Sequence, residues 1–249
     1  MEYLLAVENV SMPGEERKRK SEALADKGFE CLADGDYDAA LDITRELEAL
    51  RFSAAFDIGA QAHTALGNTG KAIETLQRGV ATAPACWLNW QLLGNYQSDA
   101  GDHEKAADAY ERALGCPDVW TDSVRLNQAI MANRRGDHAR ALAHLGMVRD
   151  PRLSLECAAA RMDALSEAGR NGEALSLADD YLSKKWDEER SKEPLAHIAA
   201  ARGRIRLDMG VPSHEVRRAV MDAIDAFGSH EEPAVLIMGL RTEGGEQSR

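Results

Sequence analysis

One short pattern occurs five times in this chain and limits the folds open to it more than any other feature. A glycine is followed five residues later by an alanine, in the pairs Gly35 and Ala40, Gly67 and Ala72, Gly101 and Ala106, Gly136 and Ala141, and Gly169 and Ala174. Successive glycines are 32, 34, 35 and 33 residues apart. A period of this length is typical of stacked helical repeats, in which each repeat is one supersecondary unit.

The residues around each glycine predict two helices joined by a very short turn. Glycine adopts positive φ without steric cost, so it can end the first helix. The residue that follows it can accept hydrogen bonds from the first N–H groups of the next helix, and this residue is Asp36, Asn68, Asp102 or Asp137 in the first four copies. So short a turn places the two helices antiparallel and in contact. The alanine, one turn into the second helix, then permits a close approach.

The charge of the chain restricts its partners. The 249 residues include 42 acidic and 30 basic side chains, for a formal net charge of −12. Phosphate binding depends on lysine and arginine, so we expect neither nucleic acid nor anionic membranes as partners. We expect a neutral or basic protein or peptide instead. No stretch of the sequence is long and apolar enough to span a membrane, and the first ten residues lack the basic region of a secretory signal.

The four cysteines carry no pairing or metal-binding pattern. Cys31, Cys86, Cys116 and Cys157 are widely spaced and form no CxxC motif. They therefore predict small, buried side chains in a reducing compartment, which we take to be the cytoplasm.

The period also divides the chain. We expect residues 1–20 to form an N-terminal segment and the start of the first helix, and residues 21–188 to form five repeats. Residues 189–228 are then a divergent helix pair that caps the array, since terminal repeats meet water on one side. The charged residues 183–194 predict an extended helix end and a loop that closes at Pro194. Residues 229–249 predict a mostly disordered tail, in which the apolar segment 235–240 either docks on the last pair or forms a self-binding strand.

The third repeat carries the most specific signal. It contains Trp90, Leu93 and Gly94, then the Gly101–Asp102 turn, and then the remaining pattern residues Ala106, Tyr110, Ala113 and Pro117. With these residues the chain resembles the tetratricopeptide repeat family. The aromatic residue of the first helix is displaced by one position, because Tyr96 precedes the expected site at Gln97. The resemblance implies an all-α, right-handed α-solenoid of antiparallel helix pairs, with five recognisable repeats and a divergent terminal pair.

The resemblance also implies a function. In that family the first helix of each pair lines a concave groove that binds a peptide or a segment of another protein. Carried over position by position, the groove-lining side chains here are Gln61, Gln91, Asn95, Ser98, Asp99, Asn127, Asn133, Arg134, Asp163 and Arg204. A primary amide both donates and accepts, so Asn95 and Asn127 suit an extended peptide backbone; the alternative is that both are merely solvated. The basic residues of the family's carboxylate clamp are missing, so we expect an internal peptide or a partner's helix, not a chaperone C-terminus.

No residue set predicts catalysis, a metal site or a cofactor site. Cys31 and His63 fall at inward-facing positions, and a Cys/His nucleophile pair would need an orienting third group. His138 and His144 are six residues apart, which does not suit one helix face. Trp90 is expected in the core, and Trp87 or Trp120 is a candidate partner contact.

We therefore predict a non-catalytic protein-interaction module, a monomer or a subunit of a complex, that acts as a scaffold or adaptor. The alternative is a structural or regulatory subunit of a larger multi-protein assembly, which contacts its partners by its ends or its convex face.

Overall fold

The computed structural model of the protein describes residues 14–184 and 192–227, and every regular element in these ranges is helical. We refer to the first and second helices of each pair as the A and B helices. The A helices are α1 (Gly14–Asp34), α3 (Ala54–Ala65), α5 (Trp87–Asp99), α7 (Thr121–Arg134), α9 (Ser154–Glu167) and α11 (Lys192–Asp208). The B helices are α2 (Tyr37–Ala49), α4 (Thr69–Thr82), α6 (His103–Leu114), α8 (His138–Leu145), α10 (Asn171–Leu182) and α12 (Ser213–Phe227). A single 3₁₀ turn, Pro151–Leu153, precedes α9. The predicted all-α class and helix pairing are confirmed.

The turn inside each pair has the geometry that the repeated glycine predicts. The five repeat glycines and Gly210 all have positive φ, between 72° and 83°. At the first turn the N–H of Asp36 donates to the carbonyl of Cys31 at 2.9 Å, and the N–H of Gly35 donates to that of Leu32 at 3.2 Å. The same two bonds recur at the other five turns. This is a Schellman motif, which satisfies the last carbonyls of the A helix.

The capping of the B helices differs from the expectation at two of the four predicted positions. Asp36 and Asp137 each accept a hydrogen bond at 3.1 Å, from the N–H of Ala39 and of Arg140. Asn68 and Asp102 make no such bond; Asp102 instead accepts from the ammonium group of Lys105. Residue type alone therefore does not decide whether a cap forms.

Close contact between paired helices depends on small side chains. The five repeat alanines are fully buried, as predicted. Glycine plays the same part within the third pair, where a Cβ added at Gly94 would lie 2.6 Å from the Tyr110 ring. It does so between successive A helices as well, since a Cβ added at Gly28 of α1 would lie 2.7 Å from the Ile58 side chain of α3. Since interiors are close-packed, these positions leave no room for a methyl group.

The chain divides into two compact units between Asn127 and Gln128, within α7. In the first unit, α1 to α6 form three pairs. The B helices α2 and α4 pack against the next A helices, α3 and α5, and α1, α3 and α5 also contact one another in order. Phe56, Leu76 and Leu93 join α3, α4 and α5 in one buried cluster.

The second unit is built in the same way. The helices α8 to α12 pack in chain order, and α9 also contacts α11. Met162, Leu195 and Ile198 lie at the centre of its core. Val216 and Val220 bury one face of α12.

One expected boundary changes, and one expectation lies outside the described residues. Pro194 does not close a loop: it lies in the first turn of α11, where a missing N–H costs no helical hydrogen bond. The charged run 15–20 belongs to α1. The C-terminal tail 229–249, with its segment 235–240, falls outside the described residues.

Candidate functional site

The A helices α3 and α5 of the first unit carry a polar surface that we call the acidic face, formed by Asp57, Gln61, Thr64, Tyr96 and Asp99. Asp57, Gln61 and Thr64 follow at four- and three-residue spacing, so they lie on one side of α3. The Gln61 amide Nε2 donates to Asp57 Oδ1 at 2.7 Å. Gln61 and Thr64 are exposed, whereas Asp57 is only 5% exposed. The row therefore has a buried carboxylate at one end and accessible polar groups beyond it.

Tyr96 connects the two helices of this face. Its hydroxyl lies near the Thr64 hydroxyl, which itself donates to the carbonyl of Ala60 at 2.9 Å. Its ring packs at the edge of the core beside Ile73 and Trp90. Burial raises the pKa of Tyr96; the neighbouring Thr64 hydroxyl opposes this, and the carboxylates of Asp57 and Asp99 raise the pKa further. Both carboxylates thus act on the same phenol. Asp99 follows Tyr96 by three residues on α5 and is exposed.

Sequence reasoning assigned Tyr96 no role at the binding face. The signal was its one-residue displacement from the family pattern. A shift of one residue rotates a side chain by about 100° around a helix. Here Gln97 takes the buried position, and Tyr96 contacts α3 instead. The one-residue displacement of the aromatic residue was therefore the signal in the sequence that Tyr96 belongs to the acidic face.

The other predicted residues of the first unit are less accessible. Gln91 and Ser98 are buried, at 7% and 3% exposure. Asn95 Oδ1 accepts a hydrogen bond from the Tyr110 hydroxyl at 2.9 Å. Asn127 Nδ2 donates to the carbonyl of Ser123, one turn earlier in its own helix, at 3.0 Å. The two asparagines that we expected to hold a peptide backbone are thus half-buried and bonded within the unit.

In the second unit, two of the predicted residues link neighbouring A helices. Asn133 Nδ2 on α7 donates to the carbonyl of Ala160 on α9 at 2.8 Å. Both Asp163 carboxylate oxygens lie 3.1 Å from His197 Nε2 on α11. Arg134 and Arg204 are exposed. Asn133 therefore joins α7 to α9 and Asp163 joins α9 to α11, in addition to any contact that either residue makes with a partner.

A second surface of the first unit is a shallow groove between α5 and α6. Trp90 lies half-buried in it, donates its indole N–H to the carbonyl of Pro84 at 2.9 Å, and has the Arg112 guanidinium 5.1 Å from its ring centre. Leu93, Lys105 and Asp108 complete this Trp90 groove. Trp90 is therefore a boundary residue and not a fully buried one. Trp87 packs beside Cys86 and Leu88.

Candidate metal ligands do not cluster in the ranges that the structure describes. No three His, Cys, Asp or Glu side chains among residues 14–184 and 192–227 could hold a metal ion. All four cysteines are free thiols. Burial lowers the pKa of His63, and Lys71 and Arg78 lower it further. Among the same residues, no helix combines the length and the apolar character that crossing a membrane requires.

Comparisons with known proteins agree with this geometry. Residues 89–115 match the family model described as tetratricopeptide repeat. No curated protein matches the sequence significantly. A tetratricopeptide repeat protein from Parabacteroides merdae is similar in structure, with a TM-score of 0.62 and 14% identity over 90% of this chain and 99% of that one.

Two further solved structures are similar. The type IV pilus biogenesis factor PilW has a TM-score of 0.67 and 16% identity, over 87% of this chain and 98% of its own. The APC/C hetero-tetramer Cut9–Hcn1 has a TM-score of 0.65 and 11% identity, over 88% of this chain and 42% of the matched one. At these identities the likeness shows the fold. The resemblance to tetratricopeptide repeats that the sequence carries is confirmed.

Proposed function

We propose that this chain is a non-catalytic interaction module that binds a segment of a partner protein on its A helices, because residues 89–115 match a tetratricopeptide repeat and each of its two units is built of stacked helix pairs. Within the first unit, the binding surface is the acidic face. This surface is supported from within the unit by four further side chains, which are those of Gln91, Asn95, Ser98 and Asn127. Arg134, Asp163 and Arg204 belong to a corresponding A-helix surface of the second unit, with Asn133 beside them.

The observation that carries this proposal is the exposure of different polar groups on two adjacent A helices. Gln61 and Thr64 on α3 and Asp99 on α5 are exposed, and the half-buried Tyr96 lies between the two helices. Tyrosine combines a large apolar ring with a hydrogen-bonding group, and it is frequent at the centres of protein interfaces. Amide and hydroxyl groups beside it can pair with a peptide backbone. A helical or extended segment can therefore lie along this face.

The test is affinity purification of the tagged full chain followed by mass spectrometry. The variant is Gln61→Ala combined with Asp99→Ala, which removes two exposed groups of the acidic face. The matched control is Gln77→Ala combined with Asp42→Ala, which removes the same residue types from the exposed surfaces of α4 and α2. We expect specific partners to be depleted about tenfold or more by the first pair and retained by the second. Equal recovery in both variants would contradict the proposal.

A second candidate is a structural or regulatory subunit that contacts its assembly through its B-helix side. The Trp90 groove favours this role, because tryptophan and arginine side by side are typical of interface hot spots. The similar Cut9–Hcn1 structure is a hetero-tetramer. Arg112→Ala would expose the Trp90 ring without touching the acidic face. Partner loss in this variant, with retention in the Gln61 and Asp99 double variant, would favour the assembly role.

A further inference from the structure

In the second unit, a cavity of about 200 Å³ lies between α9, α10 and the turn that follows α8. Leu145 and Ala158 form its buried floor, at 1% and 3% exposure. The half-buried Arg161 of α9 and Leu177 of α10 form part of its walls. Its described lining residues all belong to the second unit, and the side chains assigned above to partner binding are not among them.

The cavity lies where other helix pairs of this chain carry a large apolar side chain. Ala158 precedes the repeat glycine of its pair by eleven residues, and Phe56 and Trp90 stand at the same position in the second and third pairs. A small residue at a site built for a large one leaves a cavity wherever the surrounding structure does not collapse onto it. The repeat period therefore explains why the space is beside Ala158.

A large ring on the facing B helix does not refill this space. In the second pair, the ring of Phe56 packs on Gly79, where an added Cβ would lie 2.7 Å from it. In the fifth pair the sizes are exchanged, because Ala158 is on the A helix and Tyr181 takes the position of Gly79 on the B helix. Tyr181 lines the cavity and is half-buried, and the Lys184 ammonium lies 4.6 Å from its ring centre. The exchange thus moves the ring to the wall and leaves the cavity beside it.

A planar aromatic group suits this cavity in size. Among engineered proteins, an apolar cavity of about 150 Å³ is known to hold benzene. A volume of about 200 Å³ therefore has room for one aromatic ring or for the larger indole. The aliphatic floor and the Tyr181 ring offer such a group apolar and aromatic contacts.

Arg161 adds a group that favours an aromatic ring over an aliphatic one. Its guanidinium donates to the carbonyl of Leu145 at 3.2 Å, which holds it at the cavity wall. A guanidinium is planar and stacks on aromatic faces. The third pair already contains this pairing, because the Arg112 guanidinium lies 5.1 Å from the Trp90 ring centre.

We propose that this cavity is a binding site for a planar aromatic group, in the first place an indole. The ring would contact Leu145, Ala158 and Leu177, with one face towards the Arg161 guanidinium. The indole can come from two sources, which are a tryptophan side chain of a partner protein and a free aromatic molecule. These four residues do not belong to the surfaces proposed above for partner segments, so the inference does not rest on the proposed function.

Ligand-detected fluorine NMR with 5-fluoroindole tests the site on the full chain. We expect saturable binding with a Kd of about 1 mM. Unlabelled indole should displace the probe, and cyclohexanol, a saturated ring, should compete about fivefold less well or worse. A short alanine peptide with one central tryptophan distinguishes the two sources. Displacement by this peptide identifies a side chain as the ligand, and displacement by indole alone identifies a small molecule.

Variants show whether the probe binds in this cavity. Ala158→Trp combined with Tyr181→Ala recreates the size pattern of the third pair and places the chain's own indole in the cavity, so it should weaken binding about tenfold or more. Arg161→Leu leaves the cavity apolar and should weaken binding about threefold. The matched control is Arg112→Leu beside Trp90 in the first unit, which should change the Kd about twofold at most. Circular dichroism confirms that each variant is folded.

Each contrary result overturns the inference. If the folded double variant binds 5-fluoroindole as the unmodified chain does, the ring does not lie beside Ala158. If Arg161→Leu and Arg112→Leu have equal effects, the binding is not at this cavity, and this comparison decides the matter even where the double variant fails to fold. If cyclohexanol competes as well as indole does, the cavity does not select aromatic groups. Lack of saturable binding up to about 10 mM probe would show that no such site exists.

Discussion

The side-chain oxygen of Asn95 accepts a hydrogen bond from the hydroxyl of Tyr110, at 2.9 Å. Asn95 belongs to the A helix α5 and Tyr110 to its partner α6, so this bond joins the two helices of one repeat. Tyr110 is 1% exposed, and its hydroxyl depends on partners inside the protein. A residue expected to bind a peptide therefore also stabilises its own repeat.

Asn95→Ala should lower the free energy of unfolding by about 1 kcal/mol, because it leaves the buried Tyr110 hydroxyl without this acceptor. Tyr110→Phe should cost about the same, and the double variant should cost less than the sum of the two. Urea unfolding of the three variants measures the coupling. Strict additivity would show that the bond contributes nothing. Reduced partner binding by Asn95→Ala is informative only after its stability is known.

Gly94→Ala should destabilise the protein by about 1 to 3 kcal/mol through overpacking. The added methyl carbon would lie 2.6 to 3.0 Å from three ring carbons of Tyr110. The matched control is Gly70→Ala in α4, where nothing lies within 4 Å of an added Cβ. This control should be neutral or stabilising by about 0.5 kcal/mol, since alanine favours helix more than glycine. Similar melting temperatures for both variants would refute the packing explanation.

Asp36→Ala should lower the free energy of unfolding by about 1 kcal/mol, because the Asp36 side chain caps α2 through the N–H of Ala39. Asn68→Ala, at the same position of the next repeat, should lower the free energy of unfolding by only about a few tenths of a kcal/mol. The reason is that the Asn68 side chain makes no capping hydrogen bond that the substitution could remove. Thermal unfolding compares the two variants. Equal losses would mean that residue type at this position, and not the bond, sets stability.

Acidification should destabilise the protein partly through His63. Burial, followed by the charges of Lys71 and Arg78, lowers the pKa of His63 below its usual 6.5. The unfolded chain therefore binds a proton before the folded chain does, and stability falls as the pH drops through about 6.5 until the folded pKa is reached. His63→Gln removes this titration and should lose less stability between about pH 7.5 and pH 5.5. An unchanged pH dependence of urea unfolding would exclude His63 as a contributor.

Sequence reasoning predicted the helix pairs and their turns because both are encoded locally. Gly35 and its counterparts adopt positive φ whatever surrounds them, and Ala40 and its counterparts are small at the point of contact. The requirement is the same in every repeat, so the signal recurs and can be read from one chain. Pro194 shows the limit of such local rules, since proline suits both a loop and the first turn of a helix.

The accessibility of the predicted binding residues could not be read in this way. Asp163 is paired with His197, 34 residues further on, and Asn133 is bonded to Ala160, 27 residues further on. Such bonds depend on which helices become neighbours and on the side-chain rotamers that fit between them. Position in the repeat places a side chain on the correct side of a helix, but it does not show whether a neighbouring helix already engages that side chain.

The amino-acid sequence by itself determined that this protein is a series of helix pairs joined by glycine turns, because backbone conformation and helix contact depend on residues close together in the chain. The tertiary structure alone decided that Asn95 is half-buried and bonded to Tyr110, and that Gln61 and Asp99 are exposed at the surface. It also brought Tyr96 against Thr64. These outcomes depend on packing between helices, where the fit of each side chain is set by residues that are distant in the sequence.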